Sequence, residues 1–265
     1  MSNKIFKPAC SSNESRVLNT VLALDAAKIM TNGGSMKEKI YLLPGTMCNA
    51  KLWDKLSDLL HKEYELLHIP ILSGLDLNSI TDSLEEIIQE QKVNIVGFSL
   101  GGYIAAHFST KFPHRVNKVF IISNSPCPLS SNEISGREET LKYINTYGYK
   151  GITRQKANSM LNTQNEEIID TIMRMDMELG EKTLKSQLKW TTHREDLFEK
   201  LAKLSINITF FYNTLDPLVD TKWLTKFADI YHNCTLLPNE SEGHMLPLEE
   251  PSILSNHLMN WLKIT

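Results

Sequence analysis

Residues 93–102 place one serine between glycines directly after a short apolar, β-branched run. The run is typical of a buried strand, and it breaks into Gly97-Phe98-Ser99-Leu100-Gly101 with a further glycine behind it. A chain that leaves a strand, turns sharply and enters a helix strains the residue at the turn, and flanking glycines remove the collisions that side chains would cause. Because a helical stretch, Tyr103–Phe112, follows, the pattern G-x-S-x-G predicts that Ser99 is an exposed nucleophile at the start of a helix.

A serine nucleophile needs a base and a group that orients the base, and two later strand ends supply candidates. Asp216 follows the apolar run Ile206–Tyr212, and His244 follows the shorter run Cys234–Leu237 in a loop that contains glycine. The chain order Ser, Asp, His is the one found where a nucleophilic serine lies at a strand-to-helix turn. A loop just beyond a strand is where a rigid sheet can aim a side chain. We therefore expect Ser99, Asp216 and His244 to meet and to act together.

Other acidic and basic residues compete less well for these roles. Asp220 lies four residues further from its strand than Asp216 does, and we expect it to cap a helix over Thr221–Tyr231. Several histidines lack the glycine-framed loop of His244, and we interpret them as surface or core residues and not as metal ligands: His68, His107, His114, His193 and His232. The sequence therefore predicts neither a metal site nor a cofactor.

Four segments of the chain resemble the α/β-hydrolase superfamily, and together the likeness covers about residues 38–263. They are Tyr41-Leu42-Leu43-Pro44-Gly45-Thr46 followed by Trp53, the turn at Ser99, Leu215-Asp216-Pro217-Leu218-Val219, and Gly243-His244-Met245-Leu246-Pro247-Leu248-Glu249-Glu250-Pro251. The resemblance implies an α/β-hydrolase fold, which is a mostly parallel, doubly wound sheet of about six strands with an inserted helical cap. Pro44 stands where many members of the superfamily have histidine, so side-chain contacts of that histidine are not expected here.

The resemblance also implies an oxyanion hole made of two backbone N–H groups. They are those of Leu100, just after the nucleophile, and Thr46, just after Gly45. Two amides aimed at a developing negative oxygen need neither protonation nor reorganisation during the reaction. The Thr46 hydroxyl has two open interpretations at this stage: it also donates to the oxyanion, or it only caps a helix that starts near Asn49.

The elements along the chain alternate as a doubly wound sheet requires. Further strands are expected at Lys39–Leu43, Glu65–Ile71 and Lys118–Ser123. Helices are expected at Ala50–Lys62, Ser79–Gln91 (capped near Asn78) and Pro251–Lys263, the last packing through Ile253, Leu254, Leu258 and Trp261. We therefore assign residues 36–126 and 206–265 to the hydrolase core.

Residues 127–205 break this alternation, because they contain no strand-like run. Helical stretches are predicted at Glu138–Tyr147, Thr153–Leu161, Glu166–Leu179 and Glu181–Thr191. An insertion at this point would roof the carboxyl ends of the strands, where parallel sheets bind ligands, so we interpret it as the cap. The segment holds 12 basic and 12 acidic residues, which implies no strongly charged substrate.

Two sets of side chains in this segment admit a functional and a plain interpretation. Its methionines and one tryptophan favour an apolar substrate mildly, but packing is the commoner role at helical spacing: Met160, Met173, Met175, Met177 and Trp190. Four arginines could grip a carboxylate or a carrier-protein phosphate, but we favour solvated surface positions for them: Arg137, Arg154, Arg174 and Arg194.

The first 35 residues contain an amphipathic stretch, Arg16–Met30, which ends at Asn32-Gly33-Gly34-Ser35. Charged residues within the stretch argue against a secretory signal. Three interpretations stay open for residues 1–35: a helix packed on the domain or on a dimer partner, a disordered extension, or an upstream start codon with Met36 as the natural first residue. We favour a catalytic fold that starts at about Met36.

Composition limits the classes of partner. The net charge of −3 and the isoelectric point near 6.3 give no reason to expect nucleic acid or an anionic membrane as partner. No apolar run approaches the ~18 residues that span a bilayer. Four scattered cysteines make neither a disulfide framework nor a metal site, so we expect a cytoplasmic protein with reduced thiols. The sequence does not determine the oligomeric state.

These residues predict acyl transfer to water. Ser99 would attack an ester or thioester carbonyl, His244 would accept the proton, and Asp216 would hold His244 in the useful tautomer. We expect a serine esterase or thioesterase that acts on a small or carrier-linked acyl substrate, similar to the carrier-protein methyl esterases and small capped esterases. Two alternatives stay open: the same triad used for C–C bond hydrolysis or a lyase step, and a ligand receptor or signalling protein with little turnover.

Overall fold

The computed structural model describes residues 37–264, and the predictions for residues 1–35 lie outside them. Six strands form one sheet in the order β2-β1-β3-β4-β5-β6, and every neighbouring pair is parallel. The strands are β1 (Glu38–Leu43), β2 (Tyr64–His68), β3 (Val93–Phe98), β4 (Val116–Ile122), β5 (Asn207–Asn213) and β6 (Cys234–Asn239). This confirms the predicted doubly wound sheet of about six strands, with strand ends displaced by a few residues from those expected.

Helices connect successive strands and cover both faces of the sheet. They are α1 (Asp54–Leu60), α2 (Leu77–Ile87), α3 (Leu100–Lys111), α4 (Ser131–Tyr147), α5 (Arg154–Asn158), α6 (Glu166–Thr191), α7 (Phe198–Leu201), α8 (Thr221–Ile230), α9 (Leu246–Glu249) and α10 (Pro251–Lys263). Because each face of the sheet packs on helices, buried apolar side chains form a separate large cluster on each side. The central strands, buried on both faces, read as continuous apolar runs for this reason.

The predicted start of α2 and one predicted packing residue of α10 are wrong. The helix expected at Ser79–Gln91 is α2, which begins two residues earlier, because the Asp76 carboxylate and not Asn78 accepts the Ser79 N–H at 2.8 Å. In α10 the predicted bounds are confirmed and Leu254, Leu258 and Trp261 are buried, but Ile253 is exposed and does not pack in the core.

The strand order reverses between β1 and β3. The chain runs outward from β1 to β2, then returns to place β3 on the other side of β1. At such a switch point the loops that follow the two central strands leave in opposite directions and open a crevice at the carboxyl edge, where open α/β sheets bind ligands. Pro44-Gly45-Thr46 follows β1 and Ser99 follows β3, so the two segments predicted to act on substrate lie at this crevice.

The described chain between β4 and β5 contains helices α4 to α7 and no strand. Gly180 interrupts α6 with a φ of 70°, at the point where two separate helices are expected. The first half of α6 packs on the core, since Ile168, Ile169 and Met175 belong to the same apolar cluster as the strand residues Leu42 and Phe120. No helix within residues 37–264 has the length and apolar content needed to cross a membrane.

Candidate active site

Ser99 occupies the strained turn that its glycines predict. Its φ of 48° and ψ of −115° lie outside the region that residues with side chains ordinarily adopt. The turn is tight, because a Cβ on Gly97 would overlap the Gly101 backbone and a Cβ on Gly101 would overlap the carbonyl of Leu43. The turn ends where α3 begins, so the half-buried Ser99 side chain stands at the carboxyl edge of the sheet.

The three predicted residues meet, although 145 positions separate the serine from the histidine. His244 Nε2 lies 3.0 Å from Ser99 Oγ, and His244 Nδ1 lies 2.6 Å from Asp216 Oδ2. The Asp216 side chain is wholly buried and that of His244 is 9% exposed. When Nδ1–H donates to the carboxylate, Nε2 carries a lone pair and can accept the serine proton.

The loop that bears Asp216 also fixes the direction of its carboxylate. The second oxygen of Asp216, Oδ1, accepts the Leu218 N–H at 3.0 Å, so both oxygens are directed. Asp220 plays the predicted part, because its side chain accepts the Trp223 N–H at 3.0 Å and caps α8. The two carboxylates therefore have different structural tasks.

The loop that bears His244 is held from two sides. The side-chain amide of Asn213, at the end of β5, donates to the carbonyl of Gly243. The backbone N–H of His244 donates to the carbonyl of Met160 at 2.7 Å, which ties the loop to the segment after α5. The His244 ring also packs against Phe98, with ring centroids 5.3 Å apart.

The two amides expected to form an oxyanion hole are free of internal acceptors. Within residues 37–264, neither the Thr46 N–H nor the Leu100 N–H donates a hydrogen bond. Leu100 is the first residue of α3, where N–H groups have no partner inside the helix. The loops approach closely, since a Cβ on Gly45 would lie 2.8 Å from the Phe98 ring.

The helix-cap interpretation of the Thr46 hydroxyl is wrong. The short 3₁₀ turn Ala50–Trp53 is capped by Asn49, whose side chain accepts the Lys51 N–H at 3.1 Å. Asn49 lies one residue before the turn, as a cap must, whereas Thr46 is too far along the chain. The Thr46 side chain is half-buried.

Two residues beside the site were given no role in the sequence analysis. Gln187, in α6, is 2% exposed, and its side-chain oxygen accepts the Met47 N–H at 3.0 Å. Met47 follows Thr46 and has a φ of 53°. Glu249, in α9, accepts the Asn162 N–H at 2.7 Å, and burial raises its carboxyl pKa. Glu249 has a sequence signal, since it lies in the segment that resembles the superfamily; Gln187 has none.

The arginines of the segment after β4 fall into two groups. Arg154 is exposed and pairs with Glu166 and Asp170, and Arg174 is exposed, so the surface interpretation holds for both. It is wrong for Arg137 and Arg194, which are half-buried and hydrogen-bonded to the Thr191 hydroxyl and the Cys127 carbonyl respectively.

The methionines of this segment serve chiefly in packing. Met175 is fully buried, and Met160 and Met173 pack against the same apolar cluster. Met177 is 74% exposed.

Cys48, in the loop after β1, is also a packing residue, as expected. Burial raises the pKa of its thiol to about 12, so the thiol stays protonated and is a poor nucleophile.

Comparisons with known proteins agree with this architecture. A family model described as the alpha/beta hydrolase fold matches residues 73–166. A pimeloyl-[acyl-carrier protein] methyl ester esterase from Wigglesworthia glossinidia brevipalpis is 26% identical over 206 residues, which are 71% of this chain and 79% of that protein. A second esterase of that description, from Pectobacterium atrosepticum, is 21% identical over 88% of this chain and 98% of its own length. A solved thermophilic esterase from Thermogutta terrifontis superimposes with a TM-score of 0.75 at 16% identity, covering 86% of this chain and 90% of its own.

Proposed function

Because the chain belongs to the α/β-hydrolase superfamily, we propose that it is a serine hydrolase that cleaves a carboxylic ester or thioester. It is an enzyme of the esterase type, as its esterase-named relatives support. The observation that carries the proposal is the hydrogen-bonded chain from Ser99 through His244 to Asp216, with distances of 3.0 and 2.6 Å. Such a chain on a strained turn activates a hydroxyl that is otherwise a weak nucleophile.

In the proposed reaction Ser99 Oγ attacks the acyl carbonyl carbon while His244 Nε2 takes its proton. The imidazolium that results is stabilised by the buried Asp216 carboxylate, which keeps its own negative charge. His244 then passes the proton to the leaving alcohol or thiol, and the acyl group stays on Ser99. A water deprotonated by His244 releases the acid in the second half of the reaction.

The free N–H groups of Thr46 and Leu100 support a role as the oxyanion hole. Both lie beside Ser99 and lack other acceptors in the described chain, so they can donate to a carbonyl oxygen as it becomes negative. Fixed donors of this kind cost no reorganisation, and losing one lowers kcat by about 100-fold to 1000-fold.

We also propose that residues 127–205 form a cap over a core made of residues 36–126 and 206–265. Two contacts from this segment support it: Gln187 accepts the Met47 N–H in the loop after β1, and the Met160 carbonyl accepts the His244 N–H. A cap in this place would select the substrate. The relatives' name favours a small or carrier-linked acyl group, and the location in the cytoplasm stays a prediction.

Labelling with a fluorophosphonate tests the proposal without knowledge of the substrate. We expect the adduct to map to Ser99, and Ser99→Ala to lose both the label and about 10⁴-fold or more of p-nitrophenyl butyrate turnover. Ser109→Ala is the matched control, because Ser109 lies on the same helix and only bonds the Ala105 carbonyl. Equal hydrolysis by wild type and Ser99→Ala would contradict the proposal. A ligand that still raised Tm would then favour a receptor.

A second comparison distinguishes the bond that is cleaved. Methyl esters, acyl thioesters and β-diketones present the same attacked carbonyl with leaving groups of different kinds. We expect kcat/KM to be highest for a methyl ester or a thioester. A preference for β-diketones would instead establish C–C bond hydrolysis by the same three residues.

A further inference from the structure

A line of buried polar side chains runs along the second half of α6. Thr183, Gln187 and Thr191 follow one another at helical spacing on one face, and each is less than 8% exposed. Thr183 Oγ1 lies 3.0 Å from Ser73 Oγ, in the loop after β2. Gln187 accepts the Met47 N–H beside the proposed oxyanion donor. This face of α6 therefore lies against the crevice of the proposed active site.

Two arginines lie near the last residue of this set, Thr191. Thr191, one helical turn or about 5.4 Å beyond Gln187, donates to the Gln187 carbonyl at 2.7 Å and accepts from Arg137 Nη1 at 2.6 Å. Arg194 follows Thr191 by three residues, after α6 has ended. The two guanidinium groups thus come from α4 and from the chain after α6, and both approach the end of that helix.

Arg194 is held by two backbone carbonyls in the chain that follows β4 and by an aromatic ring. Its Nε donates to the Cys127 carbonyl at 2.6 Å, and its Nη2 donates to the Ser125 carbonyl at 3.3 Å. Its guanidinium lies over the Tyr103 ring, 4.9 Å from the centroid. Tyr103 lies on α3 about one helical turn after Ser99, so Arg194 packs against the helix that begins at the proposed nucleophile.

Neither guanidinium of this pair forms an ion pair with another residue of the described chain. Within residues 37–264, no carboxylate lies within ion-pair distance of either guanidinium, and Nη1 of Arg194 and Nε and Nη2 of Arg137 have no acceptor. Burial lowers the pKa of both side chains, and each arginine lies near enough to Glu133 for that carboxylate to oppose the effect. Glu133 is itself engaged by Ser130 as part of the capping box of α4.

Two half-buried positive charges that lie close together repel each other, and an anion bound between them would remove that repulsion. A guanidinium presents its N–H groups in a planar fork that matches carboxylate and phosphate oxygens. We propose that Arg137 and Arg194 form an anion subsite that binds a carboxylate or phosphate group on the acyl substrate. The subsite rests on the proposed function, and it gives the enzyme a preference for esters that carry a second, negatively charged group.

Paired ester series test this specificity. Monomethyl esters of the dicarboxylic acids from succinic to suberic acid carry the charge, and methyl esters of the fatty acids from butanoic to octanoic acid match them in length without it. We expect wild type to favour the charged ester at the best length. Arg137→Gln and Arg194→Gln should each lower the charged-to-neutral ratio of kcat/KM by about 10-fold to 100-fold. Arg154→Gln is the matched control, and its ratio should equal that of wild type.

A binding measurement keeps the subsite testable if neither series is turned over. Calorimetry of the Ser99→Ala protein with glutarate and with inorganic phosphate should show binding to at least one of them, which also separates a carboxylate from a phosphate occupant. The double variant Ser99→Ala, Arg137→Gln should lose that binding. The double variant Ser99→Ala, Arg154→Gln should keep it. Arg137 makes one side-chain hydrogen bond, so this variant folds more readily than one at Arg194.

The outcomes separate the two proposals. A charged-to-neutral ratio that is the same in wild type and in both arginine variants, together with no binding of either anion, would overturn the subsite and leave the serine hydrolase intact. Loss of all ester turnover in wild type with anion binding retained would overturn the proposed reaction and leave the subsite.

Discussion

At the scale of single residues, the proposed chemistry depends on which carboxylate faces His244. Asp216 and Asp220 lie in one loop, but Asp216 is buried and Asp220 is exposed. Asp216 Oδ2 contacts His244 Nδ1, whereas the side chain of Asp220 accepts the N–H of Trp223. The difference arises because a tight turn after β5 aims the first carboxylate across the sheet edge, and the second lies where α8 starts.

Asp216→Asn tests this division of labour. The amide keeps the size of the side chain, but it favours the wrong imidazole tautomer and cannot stabilise the imidazolium. By analogy with other triads we expect kcat for p-nitrophenyl butyrate to fall about 10⁴-fold, with little change in Tm. Asp220→Asn is the control, because asparagine caps helices as well as aspartate does. A normal rate in Asp216→Asn would mean that another group orients the base.

At the scale of elements, the site depends on the close approach of α3 to β1. The reversal of strand order puts the loop after β1 beside the turn after β3, and only glycine lets the two backbones come so near. Gly101 is the tightest point, since its Cβ would meet the carbonyl groups of Leu43 and Pro44. Those neighbours are backbone atoms, which cannot move aside as a flexible side chain can.

Two glycine substitutions separate this packing role from helix propensity. Gly101→Ala should destabilise the protein by at least about 2 kcal/mol, because overpacking displaces backbone. Gly136→Ala, at an exposed position inside α4 with open space around it, should stabilise by about 0.5–1 kcal/mol. Urea unfolding measures both. Similar effects from the two changes would show that the crevice is less tightly packed than the structure indicates.

At the scale of the whole molecule, the segment between β4 and β5 is joined to the rest through a common apolar cluster and through polar contacts. Ile168 and Met175 of α6 pack with Leu52 and Trp53, which lie after β1. Gln187 accepts the Met47 N–H in the loop after β1. Because these contacts connect the proposed cap to the groups that it would cover, we expect the described residues to unfold as one cooperative unit.

Buried histidines should make that unit sensitive to acid. Burial lowers the pKa of His68 and of His107 to about 4 each, below the ordinary value of 6.5. As the pH falls from about 6.5 towards 4, the unfolded chain takes up protons that the folded protein resists, so stability decreases. Urea unfolding at several pH values measures the slope. His107→Asn should reduce it, and an unchanged slope in both His68→Asn and His107→Asn would contradict this origin.

Much of the site could be predicted because its determinants are local. The strained turn at Ser99 requires glycines within two positions, and the strands before Asp216 and His244 are short apolar runs. Strand ends and helix starts were less predictable. The start of α2 shifted because Asp76 competes with Asn78 as a cap, and such a competition is decided by the geometry of the turn.

The sequence by itself predicted a doubly wound sheet and the chain order Ser99, Asp216, His244, because alternating elements, apolar runs and glycine spacing are local patterns. The two backbone N–H positions of the proposed oxyanion hole came from the resemblance to the superfamily. Only the tertiary structure decided that Gln187 accepts the Met47 N–H and that Arg137 and Arg194 lie half-buried, with no carboxylate of residues 37–264 within ion-pair distance. These contacts join parts of the chain that are tens of residues apart or more. A side chain's partner at that separation depends on how the helices pack, and no local pattern records it.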